Sequence, residues 1–222
     1  MACSCCSVRL GSGSMLALGL AAGVMFAGGM AMGLTGKHAA AATAAVAPEP
    51  MKAGGFKIDP VHSGVFYRIR HVGVSNFWGR FNKVDGMFSF DPANPSSAMF
   101  DITIDAASVD SNNKQRDEHL KSPDFFNTKQ FPSITFKSKE CRKSGEGFDL
   151  VGDMTLLGKT MPITAKLTHI GEGDRGERMG YRSGVEATFT FKRSDFGMNY
   201  GIKDNALGDE VMVVVALEGQ RQ

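Results

Sequence analysis

The 222-residue chain contains few cysteines, and they are unevenly placed. Cys3, Cys5 and Cys6 lie at the amino terminus, which leaves Cys141 as the single thiol of the remaining chain. A disulfide or a multi-cysteine metal site needs several thiols close together. Neither is therefore predicted within the body of the protein.

An excess of charge of either sign is also missing. The formal net charge of +2 comes from Arg9 and Lys37, because residues 1–47 contain no Asp or Glu. The rest of the chain carries 23 acidic residues and, once these two are subtracted from 25, 23 basic ones. A balanced body has no long-range attraction for phosphates, so neither a nucleic-acid partner nor a polybasic membrane patch is predicted.

One long apolar run is present, Met15–Leu34, with Arg9 before it and small residues after it. This order is typical of a secretory signal, so we predict that residues 1–47 form a signal peptide cut between Ala40 and Ala47. The protein is then expected in the periplasm. An uncleaved anchor in the inner membrane through residues 15–34 is the alternative, because such a run is long enough to span a bilayer. Membrane contact is expected only through this segment.

A short linker with Pro and Gly follows at 48–55, and beyond it apolar and polar residues alternate with period two. The alternation is clearest from Val185 to Phe191, where Val, Ala and Phe are separated by Glu and Thr. This period predicts strands with one apolar face. Short polar loops between successive strands indicate antiparallel neighbours.

About eight such strands must bury one shared interior, and closing the sheet into a barrel does so while removing its edges. A two-sheet sandwich is the competing architecture. One segment departs from the alternation: residues 112–122 are polar, contain good helix formers and stop at Pro123. We predict a short helix inserted there between two strands.

Motifs that carry known chemistry are missing from the sequence. It has no nucleophile elbow, no Walker loop and no dinucleotide fingerprint. His62 and His71 are nine residues apart and lack the spacing of helical metal sites. Asp59, which precedes Pro60, is typical of a turn. No catalytic residue, metal or cofactor is predicted, and the protein is not expected to be an enzyme.

The predicted interior is apolar and contains several small residues, namely Gly86, Gly152, Ala165 and Ala187. Large and small side chains could interdigitate to fill a tapering barrel completely. The small ones could equally leave a bore for an elongated apolar ligand, as eight-stranded barrels can. The alternation alone does not decide between these two interiors.

The motifs of the body resemble those of the YceI-like domain family, from about Phe56 to Glu218. The matching residues are Asp59, His62, Ser63, His71, Gly79 and Phe81, the segments Arg116–Ser138, Gly152–Thr164 and Ser194–Gly201, and Leu207–Val211. The resemblance implies an all-β fold, an extended eight-stranded antiparallel barrel of lipocalin type with one or two short helices near its mouth. It therefore favours the barrel over the sandwich.

The resemblance also implies a function. Members of this family are exported bacterial proteins that bind polyisoprenoids, including polyprenyl phosphates and isoprenoid quinones, and no catalytic activity is assigned to them. We therefore expect residues 56–222 to form a lipid-binding domain used for transport, storage or protection of the cell envelope. Association of two copies into a homodimer is kept as an alternative to a monomer.

Alternation and resemblance together predict the binding residues. The wall of the bore is expected to consist of Val65, Tyr67, Ile69, Phe88, Phe100, Ile102, Phe136, Phe189 and Phe191. A register slip of one residue would invert this assignment. Arg116, His119 and Lys121, on the predicted helix near the mouth, are the candidates for holding a phosphate or quinone head group.

Two rival functions remain at this point. The first is an enzyme acting on an isoprenoid lipid, with His62 or His71 as general base, which would need a partner within hydrogen-bond reach and a pocket. The second is a structural or stress-related barrel with a filled core. A continuous cavity favours lipid binding over this second alternative.

Overall fold

The computed structural model describes residues 54–222, so the predicted signal segment and most of the linker lie outside it. The described chain contains eleven strands, one α-helix and two 3₁₀ turns, Pro95–Ser97 and Ala106–Ser108. The strands are β1 Phe56–Ile58, β2 Gly64–His71, β3 Ser75–Phe81, β4 Val84–Ser89, β5 Met99–Asp105, β6 Val109–Asp110, β7 Ser133–Ser144, β8 Gly147–Leu156, β9 Lys159–Asp174, β10 Tyr181–Lys192 and β11 Leu207–Arg221. The helix, α1, is Lys114–Leu120.

Eight strands close into a ring in the order β1, β4, β5, β7, β8, β9, β10 and β11, every pair antiparallel. The short β1 completes the ring because it pairs with β4 on one side and with the end of β11 on the other. β2 continues along the earlier part of β11 and is followed laterally by β3 and β6. The predicted eight-stranded antiparallel barrel is confirmed, and the sandwich alternative is wrong.

The barrel is long because β9 and β11 are long. β9 has 16 residues and β11 has 15, each of which spans about 50 Å at ~3.3 Å per residue. Along β10 the side chains of Val185 and Ala187 face inward while Glu186 is exposed, as the period-two pattern requires. The interior is accordingly lined by the apolar set of each strand.

One end of the barrel is filled by aromatic rings. Phe88 is fully buried and stacks between Phe56, at 5.4 Å between ring centroids, and Phe100, at 5.5 Å. Gly219 of β11 makes room for them, since a methyl group there would come within 2.6 Å of the Phe56 Cβ. Arg221 covers the stack with its guanidinium 3.6 Å from the Tyr181 ring. This end is the closed end of the barrel.

The helix lies at the opposite end. Asn113 caps α1 by accepting a hydrogen bond from the backbone N–H of Arg116, and the turns that follow Leu120 place Phe125 against the interior. The expected helix at the mouth is confirmed, with Lys114–Leu120 as its bounds instead of the whole segment 112–122. No helix within residues 54–222 is long and apolar enough to cross a membrane.

Candidate functional site

The barrel encloses a cavity of about 460 Å³. Its deep wall consists of buried apolar side chains such as Leu150, Leu167 and Leu217. At the helix end, by contrast, the wall residues His71, Asn76 and Tyr200 are exposed to solvent. The cavity therefore opens beside α1 and the hairpin that joins β2 and β3, and we call this opening the mouth.

Eight of the nine side chains predicted for the wall do line this cavity. They are Val65, Tyr67, Ile69, Phe100, Ile102, Phe136, Phe189 and Phe191. Their place follows from the register, because residues two apart on a strand face the same side of the sheet. Whether they contact a bound lipid stays a prediction.

Phe88 differs from that expectation. Its side chain faces inward, as the alternation predicts, but it lies outside the cavity in the aromatic stack of the closed end. Inward direction and access to the cavity are separate properties. The first depends on sequence period, and the second depends on how far along the barrel axis the lumen is already filled.

Two of the three predicted head-group residues lie on the wall at the mouth. Arg116 donates from Nε to the Ser111 Oγ at 2.8 Å and from Nη2 to the Ser111 carbonyl oxygen at 2.7 Å, with its guanidinium 4.4 Å above the Phe77 ring. Its Nη1 has no acceptor within residues 54–222. His119 packs edge-on against Tyr200, at 5.0 Å between ring centroids.

Lys121 is the exception and does not line the cavity. Its Nζ instead pairs with Glu118 at 3.0 Å. Helix geometry explains the difference, since about 100° of rotation per residue places Arg116 and His119 on one face and turns residue 121 about 140° away from Arg116. Proximity in the sequence was therefore a weak guide to proximity at the mouth.

The hydroxyl of Tyr67 is a polar feature of the wall that sequence reasoning missed. It is buried and has no hydrogen-bond partner within the described residues, and burial holds the pKa of this phenol far above its usual range. Gly79 on β3 makes room for the ring, because a methyl group there would lie 2.3 Å from the Tyr67 oxygen. Counting Tyr67 only as an apolar side chain concealed this unused donor.

Arg193 is a wall residue that the sequence analysis did not predict. Only 1% of it is exposed, and its guanidinium donates to the carbonyl oxygens of Leu207, Gly208 and Met198 at 3.2, 2.7 and 3.1 Å. Burial lowers the pKa of this guanidinium. These bonds fix the turn after β10 to the start of β11, so Arg193 shapes the wall beside the mouth. Arg193 comes directly after β10, and nothing in the sequence at that position indicated that its side chain would be buried.

Sequence analysis also missed a cluster of charged residues at the break between β1 and β2. Asp59 accepts hydrogen bonds from His62 at 3.0 Å and from Arg182 at 2.6 Å, and Arg182 also bonds Glu218 at 3.1 Å. The hydrogen bond from His62 contributes most to holding the pKa of Asp59 far below its usual range. The cluster draws on three distant segments, which a single sequence does not reveal.

This cluster has the residue types of a cation site, because ligand atoms of Asp59, His62 and Glu218 lie within 4.8 Å of one another. The guanidinium of Arg182 already bonds both carboxylates, however, and supplies the positive charge that a metal ion would bring. The cluster is best described as an ion-pair clamp. His71 lies apart from it on the wall at the mouth.

Fold and site thus define the class of protein, which is an antiparallel eight-stranded barrel with an apolar cavity that opens at one end. The sequence model of the YceI-like domain matches residues 56–219, so this chain belongs to the YceI-like domain family. Among relatives, a UPF0312 protein of Pseudomonas aeruginosa is 41% identical, covering 77% of this chain and 88% of that protein. Protein YceI of Escherichia coli O157:H7 is 39% identical with the same coverage.

Solved structures agree with this assignment. BcnA of Burkholderia cenocepacia has a TM-score of 0.66 and 26% identity, covering 72% of this chain and 98% of its own. The YceI protein of Campylobacter jejuni has a TM-score of 0.60 and 30% identity, covering 69% and 91%. A polyisoprenoid-binding domain from Saccharophagus degradans has a TM-score of 0.58, and at 16% identity it shows the same fold alone, over 77% and 100%.

Proposed function

We propose that this protein binds a long-chain isoprenoid lipid inside the barrel. The observation that carries the proposal is the cavity, which is apolar in its depth, closed by the Phe56–Phe88–Phe100 stack and open at the mouth. A domain of the same fold from Saccharophagus degradans is described as polyisoprenoid-binding, which supports this class of ligand.

The energetics of burial support a lipid tail in this cavity. Each methylene removed from water contributes about 0.8 kcal/mol before the costs of binding. The cavity volume of about 460 Å³ falls within the range of small-molecule sites, which runs from roughly 300 to 1,000 Å³. A wall of apolar side chains selects a tail by its length and shape. Specificity for the head group therefore has to come from the few polar groups at the mouth.

Those polar groups are suited to an oxygen-rich head group. Arg116 has one guanidinium nitrogen, Nη1, without an acceptor among residues 54–222. His119 borders the opening with its Nε2 bonded to Asp124 at 2.9 Å, and the Tyr67 hydroxyl is buried in the same wall without a partner among these residues. A phosphate accepts several charge-assisted hydrogen bonds, and a quinone carbonyl accepts neutral ones. We therefore assign head-group recognition to Tyr67, Arg116 and His119, for either a polyprenyl phosphate or an isoprenoid quinone, and leave Lys121 out.

Filling the cavity tests the proposal directly. In Ala187→Phe a phenyl ring enters the lumen from β10 and displaces at least about two methylenes of a tail, so affinity for a fluorescent polyprenyl analogue should fall about tenfold or more. Titration of purified, delipidated protein measures this change. Organic extraction of the untreated protein, followed by mass spectrometry, should recover a prenyl lipid.

Thr188→Phe is the matched control, since it adds the same ring to the outward position next along β10. Its affinity should equal that of the wild type. Equal affinity of Ala187→Phe and wild type, together with lipid-free extracts, would exclude the cavity as a lipid site.

We further propose that the protein carries or stores its lipid in the periplasm. The apolar run Met15–Leu34 after Arg9 supports export through a signal within residues 1–47. The intact mass of protein recovered from the periplasm should correspond to a chain beginning between residues 41 and 47. A full-length mass in the membrane fraction would favour the anchor, and a cytoplasmic full-length protein would contradict export.

A further inference from the structure

Exposed apolar side chains border the mouth of the cavity. The turn between β2 and β3 consists of Val72, Gly73 and Val74, and its valines are 48% and 81% exposed. Tyr200, itself on the cavity wall, is 48% exposed nearby. We call Val72, Val74 and Tyr200 the apolar rim.

The turn that carries the rim is fixed in place, although its conformation suits valine poorly. Val72 has φ 41°, a left-handed conformation that β-branched residues rarely adopt. The turn is held by hydrogen bonds from Val74 N–H to the His71 carbonyl oxygen, at 3.1 Å, and from Val72 N–H to the Ala206 carbonyl oxygen, at 2.9 Å. Asn would fit this backbone better, so the isopropyl group is presented to solvent at the expense of local strain.

Aromatic and basic residues lie behind the rim on the outer face of the same hairpin. Trp78, the only tryptophan in the chain, is 49% exposed and lies three residues past Ser75, about 10 Å along the strand. The Arg68 guanidinium lies 5.9 Å from its ring, and Arg70 is exposed nearer the turn. Within residues 54–222 no carboxylate forms an ion pair with either arginine.

The order of these groups matches the layers of a bilayer surface. Aliphatic tips enter the acyl boundary, tryptophan favours the headgroup level about 5–10 Å further out, and arginine attracts anionic lipid headgroups. The neighbouring segments add both signs, Lys203 and Asp204 from the loop that packs on the turn and Glu210 from β11, so the two arginines leave a small positive excess. A narrow convex turn of this kind offers too little area for a stable protein interface, which favours a membrane as the occupant.

We propose that the apolar rim docks on bilayers containing anionic phospholipid, which places the mouth of the cavity against the membrane. The purpose of docking rests on the proposed lipid-binding function: a tail could pass between bilayer and cavity without crossing water. This contact involves the folded barrel itself and is independent of the predicted amino-terminal segment. It departs from the sequence-based expectation that only that segment meets a membrane.

The emission of Trp78 tests docking. Vesicles of phosphatidylcholine mixed with phosphatidylglycerol, free of any prenyl lipid, should shift its emission to shorter wavelength. The protein of residues 48–222 should sediment together with these vesicles. The double variant Val72→Asn with Val74→Ser should lower vesicle partitioning about tenfold or more, since two aliphatic side chains no longer enter the bilayer. Asn at position 72 suits the backbone, so the variant should remain folded.

Val61 and Ile170 provide a matched control. They are 82% and 67% exposed and do not line the cavity or its mouth. The double variant Val61→Ser with Ile170→Ser removes comparable apolar surface and should partition like the wild type. The docking proposal would be overturned if the wild type did not bind vesicles, or if the rim variant bound them as well as the wild type does. Equal losses of vesicle binding in both double variants would also overturn it.

A second measurement separates docking from lipid binding. Titration with a fluorescent polyprenyl analogue in vesicle-free solution should give the rim variant wild-type affinity, while transfer of that analogue from vesicles should be slower. Vesicle docking without any prenyl binding would contradict the proposed function and leave the docking standing. A change of oligomeric state in the rim variant, seen by sedimentation velocity, would assign the rim to a second copy of this chain and overturn the membrane proposal.

Discussion

Under the proposed function, Tyr67 and Arg116 give a mainly apolar wall its chemical selectivity. A buried hydroxyl without a partner costs free energy in the ligand-free protein, and a ligand oxygen that accepts its hydrogen bond recovers that cost. Arg116 is held in position by Ser111 and Phe77 yet keeps unused donors. A preorganised donor loses less side-chain entropy on binding than a flexible one.

Replacing Arg116 by Ala should weaken binding of a polyprenyl phosphate about tenfold, because a hydrogen bond to a charged group is worth about 1.5–3 kcal/mol. Lys121→Ala removes a similar charge from the opposite side of α1 and should leave the affinity unchanged. Titration with the phosphate, and with the prenyl alcohol of equal length, measures the difference. An unchanged phosphate affinity in Arg116→Ala would remove the head-group assignment.

At the scale of elements, the break between β1 and β2 depends on the ion-pair clamp. Arg182 on β10 bonds Asp59 in the break and Glu218 on β11. Ser63 adds two bonds to the same region, accepting from the Glu218 N–H at 3.0 Å and donating to the Glu218 carbonyl oxygen at 3.3 Å. The clamp thus fixes the point at which β11 changes its partner from β2 to β1, which is where the ring closes.

The clamp predicts a pH dependence of stability. The hydrogen bond to Asp59 raises the pKa of His62 above its ordinary value in the folded protein. This contribution is complete below the unfolded pKa of about 6.5 and is lost as the pH rises through the higher folded pKa. Urea unfolding should therefore show a larger fall in the free energy of unfolding between about pH 6 and pH 8 for the wild type than for His62→Gln.

Asp59 acts in a separate pH range, which keeps the His62 experiment interpretable. Its pKa is lowered, so its contribution is present above the ordinary carboxyl pKa and is lost only as the pH falls through the acid range. Identical pH profiles of the wild type and His62→Gln between pH 6 and 8 would contradict a role for His62 in the clamp.

At the scale of the whole molecule, the two ends of the barrel have opposite properties. The closed end is packed by Phe56, Phe88 and Phe100, while the mouth combines α1 with the exposed β2–β3 turn. Between them, an apolar void leaves wall side chains without partner atoms, and a bound tail would restore those contacts. With one entrance and one sealed end, the lipid that we propose would enter tail first and leave its head group at the mouth.

Sequence period was a reliable guide wherever a strand has one buried face. It predicted the strands and the inward direction of all nine proposed wall residues, because successive side chains of a strand point to opposite sides, while the choice of a barrel over a sandwich came from the family resemblance. It could not place Phe88 in the end stack or turn Lys121 away from the mouth. Depth along the barrel is set by packing between distant segments. The position of Lys121 follows instead from the helical period of about 3.6 residues, which an argument from nearness in the sequence left out.

What the amino-acid sequence by itself determined is therefore the strand pattern, the family and the apolar character of the interior, since these follow from local alternation and from motifs. Only the tertiary structure decided that the interior contains a cavity, that the buried Tyr67 hydroxyl has no hydrogen-bond partner among the described residues, and that Asp59, Arg182 and Glu218 meet. Each depends on the meeting of residues more than a hundred positions apart or on the volume left between facing strands. No local pattern encodes either quantity.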